Sequence, residues 1–150
     1  MRELRQAVIE YLEQAKLMQV ATSSANRPWV CSVWFTFDAD LNLYWFSWTG
    51  RRHSRELESN GKVAGAIALP QNPEDMPKGL QFEGDAKMLT NKEDIDFAIG
   101  IYSRIYSRHS VEERINSKER PHRFYMIKPT KYVMFDPSGF PDEPLQEMIM

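Results

Sequence analysis

The sequence is poor in the residues that form disulfides and metal sites. Cys31 is the one cysteine among 150 residues, so neither an internal disulfide nor a cysteine-based zinc site is possible. The three histidines, His53, His109 and His122, are far apart in the chain and lack the close spacing of metal ligands. No metal site is therefore predicted.

The chain also lacks long apolar runs and an excess of one charge. No stretch approaches the ~18 apolar residues of a membrane-spanning helix, and the charged residues 1–5 are not followed by the apolar core of a signal peptide. The 19 basic residues are balanced by 21 acidic ones, which disfavours a general nucleic-acid binder. These absences predict a soluble, cytoplasmic protein that binds neither membrane nor nucleic acid.

Common catalytic motifs are missing as well. The sequence has no glycine-rich phosphate loop, no Ser-His-Asp order and no acidic pair that its spacing singles out. Hydrophobic residues make up 42% of the chain and aromatic residues 12%, which is enough to form the core of one domain over residues 1–150.

Short strands dominate the middle of the chain. Segment 29–37 has no charged residue and is expected to be covered on both faces. Gly84 predicts a bulge or a close backbone approach inside its strand. The segments with strand character are 18–23, 29–37, 41–48, 62–69, 80–89, 123–127 and 131–135.

Helical spacing predicts helices at 2–16, 51–59 and 91–107, and a shorter one that opens at Ser110. Asn60-Gly61 is expected to end the second helix in a left-handed conformation, and a capping box over 90–93 to open the third. The proline-containing segment 137–150 is expected to be an irregular tail. Few connections are long enough for parallel crossovers, so we expect a mainly β (α+β) fold, a small antiparallel barrel of about six strands with flanking helices outside.

The most informative stretch is 44–57, YWFSWTGRRHSREL. An aromatic strand runs into a helix with three arginines and a histidine within residues 51–55. Cations are unfavourable at a helix N-terminus, which carries partial positive charge, unless an anion lies among them. A phosphate would supply that anion and accept hydrogen bonds from Ser47, Thr49, Arg52 and the free amides. The alternative is a solvated basic turn, neutralised by the glutamates of the same helix.

Flat apolar side chains crowd the same hairpin. Most of them are expected to form core or a subunit interface, and one or two to line a pocket for a planar ring. With the anion site, they favour a phosphorylated aromatic ligand such as FMN, pyridoxal phosphate or a nucleotide. Cys31, by contrast, is expected to be a buried, inert thiol. The aromatic side chains are Trp29, Trp34, Phe35, Phe37, Trp45, Phe46 and Trp48.

These segments, in this order, resemble the pyridoxamine 5′-phosphate oxidase-like, FMN-binding split-barrel superfamily. In that family an aromatic pair ends a strand, a Ser or Thr follows, and a basic pair opens the next helix. Here these are Trp45-Phe46, Ser47 and Arg52-His53. A later strand, 80–84, ends in Glu-Gly as it does in the family. The resemblance covers roughly residues 3–136 and is to a small uncharacterised branch.

The resemblance implies a homodimeric split barrel with FMN at the subunit interface. Many members have Lys where this chain has His53, which is only partly charged at neutral pH. The Trp and Arg with which the oxidase proper binds its pyridoxal substrate have no clear match. The implied cofactor-binding residues are Cys31, Ser32, Val33 and Trp34 along the flavin ring, Ser47 and Trp48 near the ring and ribityl chain, Thr49, Arg52 and His53 at the phosphate, and Gln81 or Gly79 from the later strand of the same chain or of the partner.

Three functions remain open at this point. The first is a homodimeric FMN-dependent oxidoreductase acting on a small-molecule substrate or NAD(P)H, with no catalytic residue predicted because the flavin supplies the redox chemistry. The second is a protein that carries, senses or stores flavin or haem without turnover. The third is an enzyme that uses a phosphorylated deazaflavin in place of FMN.

Overall fold

The computed structural model describes residues 2–150. Among them, none of the helices has the length and hydrophobicity needed to span a bilayer. The elements in chain order are α1 Leu4–Gln14, β1 Leu17–Ser24, β2 Arg27–Phe37, β3 Leu43–Trp48, α2 Arg52–Ser59, β4 Lys62–Ile67, β5 Gly79–Met88, α3 Lys92–Tyr102, α4 Arg108–Ile115, β6 His122–Phe135 and β7 Leu145–Ile149.

Six antiparallel strands close into a barrel. The strands lie side by side in the order β3-β2-β1-β4-β5-β6-β7, and β3 also pairs with β6, which closes the ring of the first six. This confirms the predicted antiparallel barrel of about six strands with helices outside it. The closing pair joins Leu43 to Ile127 at one end and Trp48 to His122 at the other. Trp48 and His122, which are 74 positions apart in the chain, are thereby brought together at one edge of the barrel.

The core fills the barrel and continues under the helices. Trp45 is fully buried and stacks on Tyr125, with ring centroids 5.1 Å apart. Helix α1 contributes an apolar stripe that includes Val8 and Leu12. A second cluster, around Phe124, packs beneath α3 and α4. Burial of each such large side chain stabilises the fold by about 1.5–3 kcal/mol.

Strand β6 is longer than the sequence predicts. The two strands expected at 123–127 and 131–135 are one continuous strand. Its pairing with β5 shifts register at Glu83 and Gly84, so Thr130 is the extra residue of a bulge that carries Pro129 within the strand. A Cβ on Gly84 would lie 2.4 Å from the Lys128 carbonyl oxygen. The predicted bulge or close approach at Gly84 is therefore confirmed.

The segment after residue 136 is not an irregular tail throughout. Strand β7 pairs with β6, from Lys131 opposite Ile149 to Phe135 opposite Leu145. The prolines of this segment lie before the strand, where no ladder hydrogen bond is lost. The prediction of an irregular tail gave too much weight to those prolines.

Helix ends also differ from the predictions. The helix expected at 91–107 stops at Tyr102, and α4 follows with Ser107 as its N-cap instead of Ser110. Asn91 caps α3 by accepting hydrogen bonds from the backbone N–H groups of Glu93 and Asp94. Asn60 has φ −147°, so the predicted left-handed end of α2 is wrong. Several cap-forming residues stand close together at each of these ends, and their spacing alone does not show which one caps.

The sequence predicts that segment 29–37 is covered on both faces, but in the single chain strand β2 is not. Its first half is exposed, with Val30 58% accessible, and Trp34 farther along is 55% accessible, while Phe35 is buried in the core. An uncharged, aromatic strand can be covered by the core of its own chain or by another surface, and its composition does not distinguish the two. Here half of that strand forms an exposed apolar surface.

Candidate functional site

A cleft of about 750 Å³ opens beside this exposed half of β2. It lies between β2, the end of β3, the start of α2, helices α3 and α4, and the start of β6. The barrel places these elements together because β3 pairs with both β2 and β6. The lining residues are Trp29, Cys31, Ser32, Val33, Trp34, Phe46, Ser47, Arg51, Arg52, His53, Tyr102, Arg114 and His122.

Seven of the ten residues proposed from the sequence line this cleft, and three do not. The seven are Cys31, Ser32, Val33, Trp34, Ser47, Arg52 and His53. Trp48 lies outside, with its ring flanked by Arg51 and Arg120, and Thr49 donates its backbone N–H to the Pro121 carbonyl. Gln81 lines a different groove, with Val133. The cofactor-binding role of all ten stays a prediction.

The start of α2 presents an open helix N-terminus to the cleft. The N-cap residue, Arg51, makes no capping hydrogen bond through its side chain, and the first turn contains no acidic residue. Unpaired N–H groups and the helix dipole make such an end positive. An anion in the cleft would therefore meet both backbone donors and the cations of the first turn.

Arg52 is held in place by a hydrogen-bonded chain. Its Nε atom donates to Glu56 Oε2 at 3.0 Å, and Thr22 Oγ1 donates to Glu56 Oε1 at 2.8 Å. The Arg52 guanidinium carbon also lies 4.3 Å from the centroid of the Trp29 ring. The hydrogen bond from Thr22, followed by that from Arg52, lowers the pKa of Glu56, so this carboxylate stays charged.

His53 and Ser47 form a buried polar pair in the wall of the cleft. The Nε2 atom of His53 lies 3.0 Å from Ser47 Oγ, and the histidine is only 6% exposed. Burial lowers the pKa of His53, the charge of Arg51 lowers it further, and Glu56 acts in the opposite direction. The imidazole is consequently mostly neutral at pH 7 without an anion beside it.

Cys31 lies in the cleft wall but is not activated. Burial raises the pKa of its thiol to about 11, so the thiolate is scarce at neutral pH. This agrees with the inert thiol predicted from the sequence, although the side chain is half-buried instead of fully buried.

Three lining residues were not predicted for the site at all. Tyr102 comes from the end of α3, Arg114 from α4 and His122 from the first position of β6. His122 reaches the cleft because it pairs with Trp48 across the closing strands. Nothing in the local sequence marks these three, since the closure of the barrel and the packing of α3 and α4 on it bring them to β2 and β3.

A smaller pocket of about 330 Å³ adjoins the cleft. It shares Trp34, Phe46, Tyr102 and Arg114 with the cleft and extends under α4. Its walls are largely aromatic: the rings of Trp34 and Tyr106 lie 4.9 Å apart, and those of Tyr102 and Tyr106 lie 4.2 Å apart. The cleft and this pocket together leave room for more than one small ligand.

Comparison with known proteins gives relatives by sequence and by fold. A UPF0306 protein of Pasteurella multocida is 25% identical over 111 residues, which covers 73% of this chain and 74% of that protein. HutZ, a haem storage protein from Vibrio cholerae, superposes with a TM-score of 0.72 at 20% identity, covering 85% of this chain and 91% of HutZ. A pyridoxamine 5′-phosphate oxidase-related, FMN-binding protein from Nostoc punctiforme superposes with a TM-score of 0.67 at 15% identity, covering 98% and 89%.

The two solved structures show that the fold is shared and nothing more, because their sequence identities to this chain are low. The family model for pyridoxamine 5′-phosphate oxidase matches residues 4–134, which is most of the chain and includes the barrel strands except for the last residue of β6. The match confirms the resemblance drawn from the aromatic strand and the basic helix start. On this match, the chain belongs to the pyridoxamine 5′-phosphate oxidase family.

Proposed function

We propose that this protein is a cytoplasmic, homodimeric flavoprotein that binds FMN in the cleft and acts as an oxidoreductase on a small molecule. The observation that carries the proposal is the open N-terminus of α2 beside Ser47, Arg52 and His53. This surface offers hydrogen-bond donors and positive charge without an acid in the first turn. Membership of the family and the FMN-binding relative from Nostoc punctiforme support the same cofactor.

The residues present fit a flavin mononucleotide. The cleft volume of about 750 Å³ is in the usual range for cofactor pockets. One end is lined by cations and hydroxyls, as a phosphate requires, and the β2 side is lined by Val33 and Trp34, as a flat apolar ring requires. Among the residues that the structure describes, Glu56 is the one carboxylate that forms an ion pair with a basic residue at the start of α2, namely with Arg52.

Each residue at the α2 start has a distinct task in this proposal. Arg52 uses Nε for Glu56 and keeps its terminal nitrogens for the phosphate. His53 holds a proton on Nε2 and donates it to Ser47 Oγ, which leaves the Ser47 hydroxyl hydrogen free for the phosphate. When bound, FMN supplies the hydride and electron transfer. The aromatic pocket next to the cleft, with Tyr102 and Arg114, gives a substrate space beside it.

The exposed half of β2 is the basis for proposing a homodimer. Trp29, Val30 and Trp34 together leave an apolar surface next to the cleft, and surfaces of this kind mark interaction sites. Gln81 lies in a separate groove of the same chain. A second subunit packed on β2 would both cover the apolar surface and provide the route by which Gln81 reaches the cofactor.

Haem binding without turnover is the second candidate. The fold shared with HutZ brings haem into consideration. In this chain, His122 lines the cleft and uses Nδ1 for the Arg120 carbonyl at 2.8 Å, and its Nε2 atom has no hydrogen bond within residues 2–150. A histidine with one nitrogen held by a carbonyl and the other free is a common arrangement for an iron ligand.

The absorption spectrum of the purified protein, as isolated and after addition of FMN or haem, tests these proposals. Flavin bands that remain after gel filtration support FMN, whereas a Soret band that remains supports haem. An assay of NAD(P)H oxidation by the FMN-loaded protein then separates enzyme from carrier. Removal of both cofactors by gel filtration would contradict both candidates.

A further inference from the structure

Three arginines and a histidine in or beside the cleft are not needed for the proposed phosphate site at α2. They are Arg51, Arg114, Arg120 and His122, called here the Arg114 cluster. Arg51, Arg114 and His122 line the cleft. Arg120 lies beside the cleft and is linked to Arg51 through Trp48, because the guanidinium carbons of Arg51 and Arg120 are 5.7 Å and 5.1 Å from the centroid of that ring.

The three arginines of the cluster have no acidic partner within the described range, 2–150. None of the ion pairs there involves Arg51, Arg114 or Arg120. Burial lowers the pKa of His122, and the charges of Arg114, Arg51 and Arg120 lower it further. The hydrogen bond to the Arg120 carbonyl acts in the opposite direction. Arg51 and Arg114 line the cleft together with His122, and His122 Nδ1 lies 2.8 Å from the Arg120 carbonyl oxygen, so the like charges of the three arginines are grouped around one histidine.

Two arginines of α2 and α4 outside the cluster do have acidic partners. Arg52 is paired with Glu56 at 3.0 Å, and Arg108, which is on the same helix as Arg114, lies 3.7 Å from Glu112. The chain has 21 acidic residues, yet among residues 2–150 none forms an ion pair with an arginine of the Arg114 cluster. Unneutralised cations that converge on a cleft raise the local concentration of anionic ligands.

We propose that the Arg114 cluster is a second anion subsite, which binds the phosphate groups of a co-substrate next to the cofactor. Several separate guanidinium groups suit an oligophosphate better than a single carboxylate, because each can take two oxygens of a different phosphate. Nicotinamide dinucleotides are redox-active members of this class. The choice of a redox co-substrate rests on the proposed function, whereas the anion subsite rests on the arginines alone.

Titration calorimetry with inorganic pyrophosphate, NADP⁺ and NAD⁺ tests the subsite on FMN-loaded and on cofactor-free protein. Wild type is expected to bind pyrophosphate and NADP⁺ saturably. Arg114→Ala and Arg120→Ala should each weaken binding about 10-fold to 100-fold, the loss of one charge-assisted hydrogen bond. Arg108→Ala is the matched control from the same helix and should bind as wild type does. Tighter binding of NADP⁺ than of NAD⁺ would assign the extra phosphate to the cluster, and equal binding would assign the diphosphate.

Two results would overturn the subsite. One is that wild type does not bind pyrophosphate, or that Arg114→Ala and Arg120→Ala both bind it as tightly as wild type does. The other is an Arg114→Ala variant that loses FMN affinity as strongly as Arg52→Ala, which would assign the cluster to the cofactor phosphate. The proposed function fails separately: if wild type does not bind FMN but the cofactor-free protein binds pyrophosphate in an Arg114-dependent way, the subsite stands without the flavin.

Discussion

Arg52 and Glu56 are joined by a 3.0 Å hydrogen bond through the Nε atom of the arginine. Glu56 is in turn held by Thr22, so the arginine is anchored to β1 as well as to its own helix. Commitment of Nε leaves the two terminal nitrogens of Arg52 available at the cleft. The pair thus orients a cation toward the position proposed for the FMN phosphate.

The first prediction concerns Arg52→Ala. The variant should bind FMN more weakly by ~1.5–3 kcal/mol, because a charge-assisted hydrogen bond to the phosphate is lost. Binding of riboflavin, which has no phosphate, should change much less. Fluorescence titrations with both ligands measure the difference, and Arg55→Ala, an exposed arginine of the same helix, serves as the control. Equal losses for FMN and riboflavin would mean that Arg52 supports the fold and not the phosphate site.

The second prediction is that FMN affinity falls as the pH rises, through His53. Without ligand, burial and the charge of Arg51 hold the pKa of His53 below its usual 6.5. The His53 imidazole of the free protein is therefore mostly neutral above pH 6.5. A phosphate dianion favours the imidazolium and raises the pKa, so binding takes up a proton. Affinity should therefore fall between pH 6.5 and 8, by up to about tenfold per pH unit. Below pH ~6 the phosphate loses its second charge, which opposes the trend.

Titrations of wild type and three variants separate His53 from other groups. His53→Lys should keep FMN affinity and flatten the decline between pH 7 and 8, because lysine stays charged. His53→Gln should bind weakly with an equally flat profile. His109→Gln, which alters an exposed histidine of α4, should follow wild type. The same profile in wild type and both His53 variants would remove His53 from the phosphate site.

The third prediction concerns the proposed dimer. Light scattering after size exclusion should give twice the mass of the chain at micromolar concentration. Val30→Asp should give a monomer, because a charge would be buried in the apolar surface of β2. Met76→Asp, an equally exposed apolar position in the loop between β4 and β5, is the control and should remain dimeric. A monomeric wild type would contradict the dimer, and a dimeric Val30→Asp would exclude this part of β2 from the interface.

The fourth prediction tests the bulge between β5 and β6. A Cβ at Gly84 would lie 2.4 Å from the Lys128 carbonyl oxygen and 2.8 Å from the Pro129 Cα, both of them backbone atoms. Gly84→Ala should therefore lower the free energy of unfolding by ~1–3 kcal/mol. Gly100→Ala adds a Cβ in open space within α3 and should raise it by ~0.4–1 kcal/mol. Thermal unfolding followed by circular dichroism measures both, and a Gly84→Ala variant as stable as wild type would contradict the close approach.

Local signals in the sequence were sufficient for the barrel and for one side of the cleft. The aromatic strand and the basic helix start are contiguous in the chain, so Ser47, Arg52 and His53 fall together in any fold that joins β3 to α2. Gly84 is similarly readable, because a glycine inside a strand indicates a bulge or a close neighbour.

The opposite wall of the cleft depends on contacts between distant residues. His122 reaches the cleft because β6 closes the barrel against β3, and Arg114 reaches it because α4 packs against that part of the barrel. The bulge at Thr130 lets Pro129 remain inside one long strand, which the sequence divides into two. Val30 and Trp34 are more than half exposed although β2 has the uncharged, aromatic composition of a covered strand, and no pattern within that strand reports what lies above it.

The most direct measurement of the central claim is a fluorescence titration of FMN and of riboflavin into the cofactor-free wild-type protein. One FMN per chain is expected to bind saturably, and riboflavin is expected to bind more weakly because it cannot use Ser47, Arg52, His53 and the open end of α2. FMN binding that does not saturate, or riboflavin binding that is equally tight, would contradict a phosphate-anchored flavin in this cleft.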